Sequence, residues 1–178
     1  MKNIIVCDLD GTLADLRYRR HHVEHPARQC IDCGGKNMKS CVMCGDMGYD
    51  KFKPNWKAFH AECVNDLPLE TTIEVIAALA RSAGLRLNPC EVWIVSGRSD
   101  VVRQETVNWL AKHDIEYDRL IMRRDKDYTP DDQLKLKWLN DGTIPKGRVF
   151  CVFDDRDRVV NMWRAQGLTC YQVAPGDF

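Results

Sequence analysis

Asp8-Leu9-Asp10-Gly11-Thr12-Leu13-Ala14-Asp15 follows at once on the apolar run Ile4-Ile5-Val6-Cys7, and this junction decides the architecture. Consecutive apolar residues without polar alternation are the pattern of a central parallel strand, buried on both faces. Period-two geometry points Asp8 and Asp10 to the same side of the strand end, and Gly11 lets the backbone turn sharply just after them. Two carboxylates so placed repel each other unless a cation sits between them or one holds a proton. Either state suits phosphoryl transfer, with one carboxylate as nucleophile and the other as proton donor to the leaving oxygen.

Outward from this junction, strand and helix patterns alternate. Residues 56–64 read as a short helix, and residues 69–83 as a longer one with Ile73, Ile76, Ala77, Leu79 and Ala80 on one face, stopped at Gly84. Residues 91–95, 120–122, 148–153 and 169–173 read as further strands. Residues 100–113, 131–139 (capped by Asp131) and 158–165 (ended by Gly167) read as the helices between them. The alternation predicts an α/β, Rossmann-like parallel sheet with helices on both faces, whose ligands bind at the carboxyl ends of the strands. Further polar groups fall at those ends. Ser96-Gly97-Arg98 offers a hydroxyl and backbone N–H groups to hold a phosphate oxygen at a helix start. Asp154-Asp155-Arg156-Asp157 is a second acidic cluster able to complete a hard-cation site. Lys135 opens a helix and could neutralise a phosphate, with Lys137 as its rival two residues on.

Between residues 16 and 55 the hydrophobic periodicity disappears. The stretch is too long for a simple loop in a compact domain, so a small module inserted after the first strand is expected within one domain spanning 1–178. It carries Cys30-x2-Cys33-x7-Cys41-x2-Cys44 with Gly34, Gly35, Gly45 and Gly48 beside the pairs, a spacing that fits a structural, tetrahedral Zn²⁺ site. His21, His22 and His25 are an alternative metal cluster, though a surface patch accounts for them as well. From Leu16 to Lys57 there are nine Lys/Arg and four Asp/Glu in a chain of zero formal net charge. That local excess hints at an anionic partner for the insertion. No segment approaches the roughly 20 apolar residues of a membrane span, and the N-terminus runs straight into a charged motif, so a cytoplasmic location is expected.

The order Asp-x-Asp-Gly-Thr, strand-Ser, Lys, strand-Asp-Asp resembles the haloacid dehalogenase superfamily of phosphatases. The resemblance implies that Asp8 forms an aspartyl-phosphate and that Asp10 acts as general acid and then base. It implies that Ser96 and Lys135 hold the phosphoryl group, and that Asp154, supported by Asp155, binds Mg²⁺ together with Asp8 and the carbonyl of Asp10. Further along, Phe153-Asp-Asp-Arg-Asp-Arg-Val-Val-Asn-Met-Trp-Arg164, Gly167-Leu-Thr-Cys170 and Gln172-Val-Ala-Pro-Gly-Asp-Phe178 are similar to the phosphatase domain of bacteriophage polynucleotide kinase/3′-phosphatases. Ser96-Gly97-Arg98 and Thr129-Pro-Asp-Asp-Gln-Leu-Lys135 fit the same domain. This resemblance covers residues 3–15 and about 68–178, and implies removal of 3′-phosphates from nucleic-acid ends. Gly97, Arg98 and Arg123, with Arg19 and Arg20 from the insertion, are the expected substrate contacts. No Gly-x4-Gly-Lys-[Ser/Thr] loop occurs, so kinase activity is not expected, and no obligate protein partner is inferred. The alternatives are a nucleotidase or small-molecule phosphatase, or a nucleic-acid-binding zinc module on an inactive core.

The insertion yields a direct expectation. Elemental analysis should find about one zinc per chain, lost in a Cys30→Ser/Cys41→Ser variant. Purified, active protein without zinc would refute the zinc module.

Overall fold

Ile4–Cys7 forms β1, and all four of its residues are buried. Apolar side chains alternate between its two faces, so a strand without polar positions has no solvent side and must lie mid-sheet. The structure, a computed structural model, describes residues 3–24, 53–82 and 90–176. In it β1 is flanked by β4 (Glu91–Ser99) and β6 (Val149–Asp154), both parallel to it. Outside these lie β5 (Arg119–Arg123) and β7 (Cys170–Gln172), completing the parallel order β5-β4-β1-β6-β7. The chain builds outward on one side of β1 and then returns to build on the other. β1 therefore stands at the switch point, where a crevice opens beyond the strand ends.

Each face of the sheet has its own core. Ile4 and Val6 pack with Val152, Val159, Val160 and Trp163 on the side of α4 (Asp131–Asn140) and α5 (Asp157–Ala165). Ile5 and Cys7 pack with Ile76, Ile94, Trp109 and Leu110 on the side of α2 (Glu70–Arg81) and α3 (Arg103–Lys112). The expected α/β architecture, a parallel sheet flanked by helices, is thus what the chain adopts.

Three local differences bear on function. Ser96-Gly97-Arg98 does not open a helix. β4 continues through it to Ser99, with a register shift against β5 between Ser96 and Ser99, and Ser99 Oγ caps the following turn by accepting from Val101 N. Asp131 is not a cap. It is the first residue of α4, Pro130 holds the cap position, and the Asp131 carboxylate is turned elsewhere. Finally, the chain divides into two compact units, Met1–Asp15 with Val64–Phe178 and, separately, Leu16–Cys63. The second unit starts where the insertion was expected but extends past residue 55. Its α1 (Trp56–Ala61) belongs with the helical turn Arg17–His22, Phe59 carrying the Arg19 guanidinium 4.1 Å above its ring.

The larger unit closes the chain on either side of the smaller one with a short antiparallel pair, β2 (Ala14–Asp15) against β3 (Leu67–Pro68). Cys30, Cys33, Cys41 and Cys44, like Gly84, lie outside the described residues. Cys7, Cys63, Cys151 and Cys170 are buried. Burial, followed by repulsion from nearby thiols and carboxylates, pushes the Cys7 thiol well up and that of Cys170 up to about 12. Among the described residues no helix is long and apolar enough to cross a membrane.

Candidate active site

Lys135 is fully buried, which an ammonium tolerates only among opposite charges. α4 begins at the sheet's carboxyl edge and, with Leu134 and Leu139 in the core, carries Lys135 inward. Its Nζ donates to Asp8 Oδ1 at 2.6 Å and to Asp154 Oδ2 at 2.9 Å, joining the ends of β1 and β6. One turn back on α4, Asp131 Oδ2 stands 3.7 Å from the same nitrogen. Burial works against the Lys135 charge, but Asp131, Asp154 and Asp8 together hold its pKa well above the ordinary lysine value. Lys137, the rival two residues on, is exposed.

Asp155 joins this group. Oxygens of Asp8, Asp154 and Asp155 lie within 4.8 Å of one another, and all three residues are buried. Burial, and then repulsion from Asp154, lifts the Asp155 carboxyl to about 6. Asp8 is also pushed well above the usual carboxylate range, by burial and by Asp154, Asp131 and Asp155, against the pull of Lys135. More negative charge is crowded here than Lys135 neutralises. Oxygen-only donors under such repulsion suit a hard divalent cation rather than a thiophilic one. The backbone leaves space for the crowding. Gly11 has φ of +88°, and a Cβ there would come within 2.1 Å of Asp155 Oδ2. A Cβ at Gly97 would come within 2.3 Å of Asp131 Oδ1, so that glycine admits the carboxylate behind Lys135.

Asp10 stands apart from the cluster. Arg98 Nε faces its two oxygens at 3.0 and 3.1 Å, and Nη2 reaches Asp10 Oδ1 at 2.6 Å. The Asp10 side chain keeps 19% of its surface exposed against 7% for Asp8, so Asp8 is the deeper carboxylate and Asp10 the one nearer solvent. Ser96 is buried at the end of the regular part of β4, its Oγ accepting from Arg98 N at 3.1 Å. The arrangement provides a deep carboxylate held by an ammonium, an acidic set that includes it and could take a cation, and a second carboxylate outside that set.

The four arginines expected to touch substrate are engaged differently. Arg98 is buried and turned inward, between Asp10 and Asp66. Arg123 braces the loop between β5 and α4, donating to Gly97 O, Asp127 O and Thr129 O, with Asp131 Oδ1 at 3.4 Å. Arg19 is completely buried, stacked on Phe59 and donating to the Phe59 carbonyl at 3.2 Å, and so presents no charge to a passing strand. Arg20 is half-buried and pairs with Glu24 at 2.6 Å. His22 faces Glu62 and His21 meets the carbonyl of Tyr18, so local contacts account for both.

Sequence reasoning passed over Asp66, Asp131 as an ion-pair partner, and Trp163, whose Nε1 lies 3.3 Å from Asp154 Oδ2. Asp131 carried a readable signal, since residues four apart on a helix are neighbours and it precedes Lys135 by four. Asp66 carried none, lying in no motif, and Trp163 stood in the stretch from Phe153 to Arg164 with no role attached to it.

The family model for the polynucleotide kinase PNKP phosphatase domain matches residues 56–178, well over half of the chain, although Asp8 and Asp10 precede that span. A protein of Autographa californica nuclear polyhedrosis virus, named for bifunctional polynucleotide kinase/RNA ligase activity, is 45% identical over 71 residues, which are 39% of this chain and 10% of that one. A chain in the structure of the Pnkp1/Rnl/Hen1 RNA repair complex aligns with a TM-score of 0.67 and 28% identity over all of this chain and 44% of its own length. A haloacid dehalogenase-like hydrolase from Streptococcus pneumoniae aligns with a TM-score of 0.62 over 96% of this chain and 84% of its own, at 12% identity, which speaks for the fold alone. The chain thus spans a tenth of the viral relative and under half of the repair-complex chain.

The contact between Gly11 and Asp155 generates a prediction. In Gly11→Ala a methyl group meets the carboxylate on a backbone with positive φ, which costs on the order of 1–3 kcal/mol and displaces Asp155. Turnover of nitrophenyl phosphate should fall by about a hundredfold or more in protein still folded by circular dichroism. Unchanged turnover would mean that the position of Asp155 is immaterial.

Proposed function

Since the chain belongs to the polynucleotide kinase PNKP phosphatase-domain family, within the haloacid dehalogenase-type phosphatases, we propose that it hydrolyses phosphomonoesters through an aspartyl-phosphate on Asp8, with nucleic-acid 3′ ends as its substrate. The observation that carries the mechanism is the division of labour between the two carboxylates after β1. Asp8 is deep and held through Oδ1 by Lys135, while Asp10 lies nearer solvent in the fork of Arg98. The second oxygen of Asp8 attacks phosphorus as the ester P–O bond breaks, and the leaving alkoxide takes a proton from Asp10. Water then attacks the phosphorus of the acyl phosphate, giving its proton to Asp10, and inorganic phosphate leaves with Asp8 restored. Lys135 and the Ser96 hydroxyl are the donors for the phosphoryl oxygens. Asp8, Asp154 and Asp155 would hold Mg²⁺, whose charge offsets that of the incoming phosphate.

The substrate assignment rests on the family and on the 45% identity with the viral protein. The insertion's positive charge supports it, now without Arg19, which is buried, and with Arg20 paired to Glu24. The four cysteines at 30, 33, 41 and 44 are assigned to structural zinc on their spacing, and kinase chemistry is not assigned to residues 1–178, which contain no phosphate-binding loop of that type.

Three measurements test this reading. Asp8→Asn keeps the shape and removes the attacking anion, so turnover should fall by at least about a thousandfold. Chelation should abolish wild-type activity, with Mg²⁺ restoring it without added zinc; near-normal turnover by folded Asp8→Asn would end the aspartyl-phosphate mechanism. For the substrate, an oligonucleotide 3′-phosphate should have a higher kcat/KM than the matching nucleoside 3′-monophosphate, and the advantage should shrink as salt rises. A preference for mononucleotides at every salt concentration would make the enzyme a nucleotidase.

A further inference from the structure

Asp66 lies in none of the motifs, yet it is buried more deeply than Asp8 or Asp10. Its Oδ2 is 2.5 Å from Arg98 Nη2, and neither side chain of this pair has any exposed surface. The same guanidinium holds Asp10 through Nε and Nη2, and its Nη1 is 3.4 Å from Thr106 Oγ1. A guanidinium is a rigid planar fork, so fixing one nitrogen fixes the direction of the others. Asp66 is itself fixed from the backbone side. Trp109 Nε1 donates to its carbonyl at 2.7 Å, and the next residue, Leu67, begins β3 in register with Asp15. If Arg98 swung away, it would leave Asp66 as a buried charge without this partner, which is strongly unfavourable. Asp66 therefore locks Arg98, and Arg98 locks the rotamer of Asp10.

We propose that Asp66 is a positioning residue for the proton-transfer step, acting through Arg98 to aim the Asp10 carboxyl at the ester oxygen. The inference rests on the reading of Asp10 as the proton donor. The step itself is the one given above: the P–O bond breaks and the proton of the Asp10 carboxyl passes to the departing oxygen. An alkoxide leaving group needs that proton and suffers when Asp10 is misaimed, whereas nitrophenolate departs without it. A purely structural ion pair would not distinguish the two.

The test uses Asp66→Asn, which keeps shape and an acceptor oxygen while removing the charge that fixes Arg98. With thymidine 3′-monophosphate its kcat/KM, which reports phosphoryl transfer to Asp8 and not the later hydrolysis that also uses Asp10, should fall about 10- to 100-fold. With nitrophenyl phosphate kcat/KM should change less than about threefold. Added to Arg98→Ala, the substitution should cost nothing further, because the path it acts through is already gone. Should Arg98→Ala fail to fold, Arg98→Lys, which keeps the charge but not the fork, takes its place in the cycle. Equal losses on both substrates in folded Asp66→Asn, or losses that add to those of the Arg98 variant, would overturn the proposal. Asp10→Asn is measured alongside. If it shows the leaving-group dependence and Asp66→Asn does not, only the role of Asp66 falls. If Asp10→Asn shows none, the assignment of Asp10 as acid falls, and this inference with it.

Discussion

A lysine ammonium without water is the constraint around which the larger unit is arranged. Desolvating Lys135 is tolerable because Asp8 and Asp154 accept from it and Asp131 stands one helical turn away. Each partner comes from a different piece of the fold, the ends of β1 and β6 and the first turn of α4. Satisfying the ammonium thus requires that the strands be adjacent and that α4 dock with its amino end at the sheet's carboxyl edge. The packing of Leu134 and Leu139 supplies the docking, and the charge supplies its direction. The carboxylates that hold the ammonium are the ones that would hold a cation, so the site and the fold constrain each other.

Crowding so many carboxylates demands unusual closeness between backbone and side chain. Gly11 and Gly97 give way at the two tightest points, one to Asp155 and the other to Asp131. Gly97 sits in the irregular end of β4, where the register against β5 slips between Ser96 and Ser99. That irregularity sends the Arg98 side chain inward to Asp10 and Asp66, where a longer regular pairing would alternate it with its neighbours. Strand irregularity and glycine placement thus set which charges face the crevice and which face each other.

The parts of the site legible in the sequence were those fixed by local geometry. A strand's period places Asp8 and Asp10 at one strand end, whereas Lys135 stood beside Lys137 as its rival until the packing of Leu134 and Leu139 carried it to Asp8 and Asp154. What escaped was where guanidinium groups point. Arg19, Arg98 and Arg123 were each expected to reach outward, and each is engaged by a partner 40, 88 or 26 residues away in sequence. A long flexible side chain takes its direction from tertiary neighbours, and no periodicity encodes them. The same limit explains the boundary of the inserted unit. Residues 56–64 read as a helix, but the contacts that tie it to the smaller unit, Arg19 stacked on Phe59 and donating to its carbonyl, join residues 40 apart.

The buried thiols have a consequence for chemical labelling. A disulfide reagent reacts with thiolate, and in the folded enzyme Cys7 and Cys170 combine burial with strongly disfavoured ionisation. Cys63 and Cys151 are sealed from the reagent by burial. These groups add little to the early phase of a native thiol titration, in which half-buried Cys90 sets the background. Early reaction beyond that one thiol therefore comes from cysteines outside the described residues.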